Sequence, residues 1–111
     1  MCRVPLTGDQ WLTTLAALAN PHRLRILGML SASGRNFVSQ LARDVGLSRP
    51  LLNLHLRKLE EAGLVVGTLE LSADGKARNF FEVAPFALHL TPDVIVEAVK
   101  SLTLIPPKPE T

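Results

Sequence analysis

The chain has 111 residues, 47% of them hydrophobic and 20% charged, which suits one domain and excludes a wholly disordered protein. Its formal net charge of +2 excludes a strongly polarised total and by itself argues for no partner. The single cysteine, Cys2, excludes an internal disulfide and a cysteine-rich zinc site, and fits a reducing cytoplasmic setting.

In chain order the punctuation reads as helices. Asp9 is the expected cap of a first helix to about Ala19, with Trp11, Leu12, Leu15, Leu18 and Ala19 at three- and four-residue spacing. Asn20-Pro21 is a cap followed by a proline at the first helical position, where its missing N–H does no harm. The second helix carries Leu24, Leu27, Met29 and Leu30 and ends at Gly34. Asn36 is expected to cap a third helix with Phe37, Leu41 and Val45 at i, i+4 and i+8, closed by a left-handed Gly46. Ser48 caps a fourth helix, with Pro50 in its first turn and Gly63 at its end. Leu64–Leu71 and Ala77–Val83 then read as two strands, joined across the Asp74-Gly75 hairpin signal. Pro85 breaks the second strand, and Thr91-Pro92-Asp93 opens a last helix to about Leu102, with Ile95, Val99 and Leu102 on one face. Residues 1–8 and 104–111, the latter with Pro106-Pro107-Lys108-Pro109, are expected to be flexible tails of a single domain spanning 1–111.

Two helices joined by Val45-Gly46-Leu47 and followed by a hairpin make a winged helix-turn-helix, a mainly α fold with a small β wing. On the fourth helix, Leu52, Leu56, Leu59 and Ala62 follow the 3.6 period and should face the core. The remaining positions present Ser48, Arg49, Pro50, Leu51, Asn53, Leu54, His55, Arg57 and Lys58, among them donors for base edges and phosphates and leucines that suit thymine methyls. Charge supports the same reading once it is resolved by segment. Pro21 to Lys58 holds seven basic residues against Asp44 alone, net +6, and the rest of the chain is net −4. So polarised a helix-turn-helix suits a polyanion.

The stretch Leu15 to Leu27, with Asn20-Pro21-His22-Arg23-Leu24-Arg25, resembles the opening signature of the ArsR-type winged-helix repressors. So do Val38-Ser39-Gln40-Leu41-Ala42, Leu47-Ser48-Arg49-Pro50, His55-Leu56 and Leu59 to Val65, while Asp74 to Arg78 followed by Phe80-Phe81-Glu82-Val83 resembles the family's wing. The resemblance covers roughly residues 10 to 84. It implies a homodimeric repressor that binds a near-palindromic double-stranded DNA operator. Helix 49–62 would lie in the major groove, and wing 68–82 would lie on the backbone with Lys76 and Arg78 at phosphates. It also implies a dimer built by the first and last helices, through Trp11, Leu12, Leu15, Ile95, Val99 and Leu102. That placement gives the high mean hydropathy of +0.23 a home.

The sequence departs from the resemblance at the metal-sensing motifs. The third helix has no cysteine, the last has Asp93 and Glu97 without a histidine, and His22, His55 and His89 are isolated in sequence. No metal or other cofactor is therefore expected, and no effector is identified. No window reaches the ~18 consecutive apolar residues of a membrane span, and the first residues lack an apolar signal core.

Of Leu51 and Leu54, one is expected to tuck under the wing or the neighbouring helix. The alternative is an apolar patch for thymine methyls or for a protein, which would make this a protein-interaction winged helix using Leu51, Leu54 and the wing. His22 is expected to face solvent or to cap. Arg23 and Arg25 are expected to be solvated or ion-paired to a partner subunit, and Cys2 to be a loose terminal thiol with no second thiol to resolve its oxidation. An enzyme is not expected, since the chain lacks a Gly-rich phosphate loop, nucleophile–base spacing and a metal triad.

Overall fold

The computed structural model describes residues 6–71 and 73–103; residues 1–5, Cys2 among them, and the Pro-rich tail from 104 lie outside the described residues. Eight elements follow in order: α1 (Gly8–Leu18), α2 (Pro21–Ser33), β1 (Asn36–Phe37), α3 (Val38–Val45), α4 (Arg49–Glu61), β2 (Val65–Leu71), β3 (Ala77–Val83) and α5 (Pro92–Lys100). The result is a winged helix-turn-helix, with the sheet closing one end of the helical core. No helix among the described residues is long and apolar enough to cross a membrane.

Two of the helix starts differ from the sequence reading. α1 begins earlier than expected, because Thr7 and Gln10 form a reciprocal capping box. The Gln10 backbone N–H donates to Thr7 Oγ1 (3.2 Å) and the Thr7 N–H donates to Gln10 Oε1 (2.9 Å). Thr7 and Gly8 thus belong to the folded domain and not to a tail. Asp9, released from capping, accepts instead from the Thr103 backbone N–H (2.9 Å) and from the Thr103 hydroxyl. Asn36 does not cap α3 either. Its backbone and that of Phe37 are taken by pairing with Phe81 and Phe80, so α3 starts without a side-chain cap and the sheet has three strands in the order β1-β3-β2. A two-residue strand carries no periodic signal, which is why the hairpin alone was legible.

The remaining caps form as read. Asn20 Oδ1 accepts from the His22 and Arg23 backbone N–H groups, with Pro21 at the first helical position. Gly46 takes φ 74°, which a side chain rarely tolerates, and bends the chain between α3 and α4. Ser48 and Thr91 cap α4 and α5. Arg23 is half-buried and held within its own chain: its Nε donates to the Ala17 carbonyl (2.8 Å) and one terminal nitrogen to that of Ala16 (3.4 Å). A cation on the last carbonyls of α1 offsets the negative end of that helix and fixes the α1–α2 corner.

The core gathers Ala17 from α1, Ile26, Leu27 and Leu30 from α2, Leu41 and Ala42 from α3, and Leu52, Leu56 and Leu59 from α4. Leu64 and Val65 complete it. On α2 the inward row is 26, 27 and 30; Leu24, expected in it, is 56% exposed at the edge of that row, beyond Leu27.

α1 and α5 pack side by side, and their close approach depends on Gly8. Its N–H donates to Ser101 Oγ (3.0 Å), and a Cβ there would stand 2.4 Å from the Ala98 carbonyl oxygen. Trp11 and Ala98 are buried at this junction, so Trp11 is covered by its own protomer. Leu12, Leu15, Ile95, Val96, Val99 and Leu102 remain exposed on the outer side of the pair.

The two glycines inside helices predict opposite outcomes. Gly8→Ala pushes a methyl into a backbone carbonyl and should cost about 1–3 kcal/mol. Gly28→Ala, at a site with nothing within 4 Å, should gain about 0.5–1 kcal/mol from helix propensity. Urea unfolding of both variants beside the parent checks the pair.

Candidate nucleic-acid interface

α4 is divided lengthwise. Leu52, Leu56 and Leu59 are 0–1% exposed and hold one side of the helix in the core. On the other side two adjacent rows run along the axis at i, i+4, i+8: Arg49, Asn53 and Arg57, and beside them Pro50, Leu54 and Lys58. All six are exposed. Arg49, Arg57 and Lys58 form no ion pair among the described residues, so three cations project from one helical face. Ser48 holds the start of this helix, its hydroxyl accepting from the Leu51 N–H (3.4 Å).

Leu51 and Leu54, one of which was expected to tuck away, both stay out, at 40% and 57% exposed. The wing does not reach over them.

His55 is the expected surface residue that the structure withdraws. It is 9% exposed and its ring lies 5.5 Å, centroid to centroid, from that of His22 on α2. The Nδ1 atoms of both rings are buried without a hydrogen-bond partner. Position 55 falls one step round the helix from Leu52 and Leu59, and α2 packs against that edge as well as against the leucine row. His22, expected to face solvent or to cap, is half-buried here; only its backbone N–H joins the Asn20 cap. Burial, then the Arg23 charge and then His22, hold the His55 pKa below the ordinary histidine value.

The wing carries the two other predicted contacts. Lys76 is exposed beyond the hairpin tip, its backbone N–H bound to Asp74 Oδ1 (3.1 Å). Arg78 is half-buried, its guanidinium 5.0 Å over the Phe37 ring. Sequence reasoning missed the clamp at the wing base. Arg35 donates two parallel bonds of 2.7 Å to Glu70 on β2 and lies 4.3 Å over the Phe80 ring. Its hydrogen bond to Glu70 raises the Arg35 pKa and lowers that of Glu70. Thirty-five residues separate the pair, so no local spacing announces it. Part of the +6 of the helix-turn-helix segment is thereby committed internally: Arg35 to Glu70 and Arg23 to α1.

Among the described residues no three of His, Cys, Asp and Glu gather as a metal-ligand group. The geometry is that of a DNA-binding winged helix-turn-helix. The model of the bacterial regulatory protein arsR family matches residues 20–66. An HTH-type transcriptional regulator of Methanocaldococcus jannaschii is 37% identical over 79 residues, 71% of this chain and 81% of that protein. The chain belongs to the ArsR family of transcriptional regulators, a family of regulators and not of enzymes. The HTH-type transcriptional regulator YgaV of Escherichia coli is 32% identical over 65 residues, 59% of this chain and 66% of its own length. Among solved structures, the homodimeric winged helix-turn-helix DNA-binding domain of a Mycobacterium bovis protein superposes with a TM-score of 0.60 at 28% identity. That match covers 83% of this chain and 74% of the other.

The buried His55 gives a pH prediction. With its folded pKa below the unfolded value near 6.5, stability is complete above that value. As the pH falls through it, the unfolded chain takes up a proton that the folded chain resists, and stability drops until the folded pKa is passed. The urea midpoint should fall between pH 7.5 and pH 5 in the parent, and by less in His55→Leu. Equal slopes in the two proteins would remove His55 as the cause.

Proposed function

We propose that the protein is a sequence-specific repressor that binds a near-palindromic double-stranded DNA operator as a homodimer in the cytoplasm. The observation that carries this reading is the exposed Arg49–Asn53–Arg57 row on α4, flanked by Lys58, on a helix whose opposite side is fixed in the core. A major groove about 12 Å wide admits one helix. Arg49, Asn53 and Arg57 then reach base edges and phosphates, with Leu54 and Leu51 near thymine methyls. Lys76 at the wing tip, with Arg78 behind it, serves the adjacent backbone, which positions the protein without reading sequence. His55 supports the helix from within and takes no DNA contact in this reading.

The dimer is assigned to the outer side of α1 and α5, where Leu12, Leu15, Ile95, Val96, Val99 and Leu102 are exposed together. The homodimeric Mycobacterium bovis domain supports a dimer, and the exposed apolar side of α1 and α5 is our reason for placing it there. A two-fold dimer presents its reading helices to half-sites about 34 Å apart. A second reading is favoured by the exposed leucines themselves: Leu51 and Leu54 on α4, with Leu69 and Leu71 (68% and 77% exposed) on the wing, would suit a protein partner.

Selection of bound sites from random DNA, followed by titration across salt, separates the two readings. Arg57→Ala should weaken every sequence by a similar factor and reduce the slope of log K against log salt by about 1. Asn53→Ala should relax preference at one position of the site, by about 1–3 kcal/mol against the wrong base. Recovery of no enriched site, with unchanged binding in both variants, would hand the surface to a protein partner. Val99→Glu places a charge on the outer side of α5. It should yield a monomer by light scattering and at least a tenfold loss of operator affinity; a dimer of parental affinity would remove α5 from the interface.

A further inference from the structure

A cavity of about 920 Å³ lies on the inner side of the α1–α5 pair, between these helices, the Ala62–Leu64 exit of α4 and the segment joining β3 to α5. Its walls fall on the faces of α1 and α5 that turn away from the proposed dimer surface. Trp11 and Thr14 line it while Leu12 and Leu15 point outward; Asp93, Val94 and Glu97 line it while Ile95, Val96 and Val99 point outward. A second copy docked on the outer faces would therefore leave the cavity in place. Its size is that of a small-molecule site, and its character is mostly apolar with a few polar groups.

Two independent observations specify what would fit. No lysine or arginine lines the cavity among the described residues, whereas Asp93 and Glu97 do, one helical turn apart on α5. Glu97 is engaged by Lys100 (3.0 Å), and Asp93 forms no hydrogen bond or ion pair with any described residue. Separately, Thr14 is only 4% exposed and lines the cavity, yet its hydroxyl makes no hydrogen bond among the described residues. Its oxygen keeps some accessible surface on the cavity side, so it is available to a ligand without first giving up a partner. Trp11 also lines the cavity, and an indole attracts a cation as well as an apolar ring.

We propose that this cavity is a binding site for a small organic monocation carried on an apolar or aromatic ring. The ammonium would sit by Asp93, the ring against Trp11 and Val94, and Thr14 would supply the second polar contact. Two carboxylates, one already held by a lysine, are too few for a metal, and the apolar walls favour a ligand with a hydrocarbon body. The site stands or falls independently of the DNA reading, because binding is read without DNA.

Trp11 is the single tryptophan of the chain, so its emission reports the cavity directly. The probes are phenethylamine, its neutral analogue 2-phenylethanol and the anion 3-phenylpropionate, each titrated into the full chain, with N-acetyltryptophanamide correcting for collisional quenching. Phenethylamine should give a saturable change with a sub-millimolar midpoint, and 3-phenylpropionate should bind at least tenfold more weakly. Asp93→Asn should weaken phenethylamine at least tenfold and leave 2-phenylethanol within twofold, a split that a merely structural role for Asp93 would not produce. Thr14→Val, which keeps the volume, should weaken the amine severalfold. Circular dichroism on both variants confirms that α5 and α1 still form. Amine and acid binding within twofold of each other, an amine affinity indifferent to Asp93→Asn, or no change beyond the tryptophanamide control would each overturn the proposal.

Discussion

The structure depends on the burial of a single leucine row. Leu52, Leu56 and Leu59 are enclosed by α2, α3, Leu64 and Val65, and their closure against solvent fixes the rotation of α4 about its own axis. Rotation of that helix decides which residues any ligand meets. With the leucine row inward, Arg49, Asn53 and Arg57 can only face out; a shift of one residue would carry them round by about 100°. Fully burying a leucine is worth about 1.5–3 kcal/mol, so three such side chains outweigh any preference of the exposed polar row for another orientation. The capping serine and the left-handed Gly46 then set where the helix begins and how it leaves α3.

The same packing explains the fate of the charges. A net +6 over residues 21–58 suggests a uniformly basic surface, but two of those arginines serve the fold. Arg23 holds the last carbonyls of α1, and Arg35 joins β1 to β2 through Glu70 while covering Phe80. Neither role shows in a charge count, because each depends on an acceptor brought close only by tertiary structure. What remains exposed for a polyanion is Arg25 on α2, Arg43 on α3 and the local group Arg49, Arg57 and Lys58 on one side of α4. The exposed Arg35–Glu70 pair should contribute little net stability, as surface ion pairs do.

α1 and α5 give the molecule two further surfaces from one pair of helices. Gly8 lets their backbones approach, and Asp9 ties the end of α5 back to the start of α1 through Thr103. The outer side is apolar and exposed, the inner side lines a cavity with Asp93 and Thr14. Because the inner wall also includes the exit of α4, occupancy of that cavity and the placement of α4 share residues. The helical period makes this division possible, since positions 93, 94 and 97 and positions 95, 96 and 99 fall on different sides of a 3.6-residue turn.

The order of the helices, the Ser48 and Asn20 caps, the Gly46 turn, the hairpin and the leucine row of α4 were legible in the sequence because each rests on local chemistry. A proline after an asparagine, a glycine after a helix and a 3.6 period mean the same thing in any fold. Even there, competition between neighbours was hidden: Thr7 with Gln10 outbid Asp9 for the α1 cap, and strand pairing took Asn36 from α3. The withdrawal of His55 from the surface, the two-residue β1 and the pairing of Arg35 with Glu70 required the folded chain. So did the exposure of both Leu51 and Leu54. Each turns on contacts between segments distant in sequence, and hydrophobic period places a residue on a side of its helix without saying what packs there. His55 shows the difference most clearly: its position next to the leucine row was readable, and the neighbour that buries it, His22 on α2, was not.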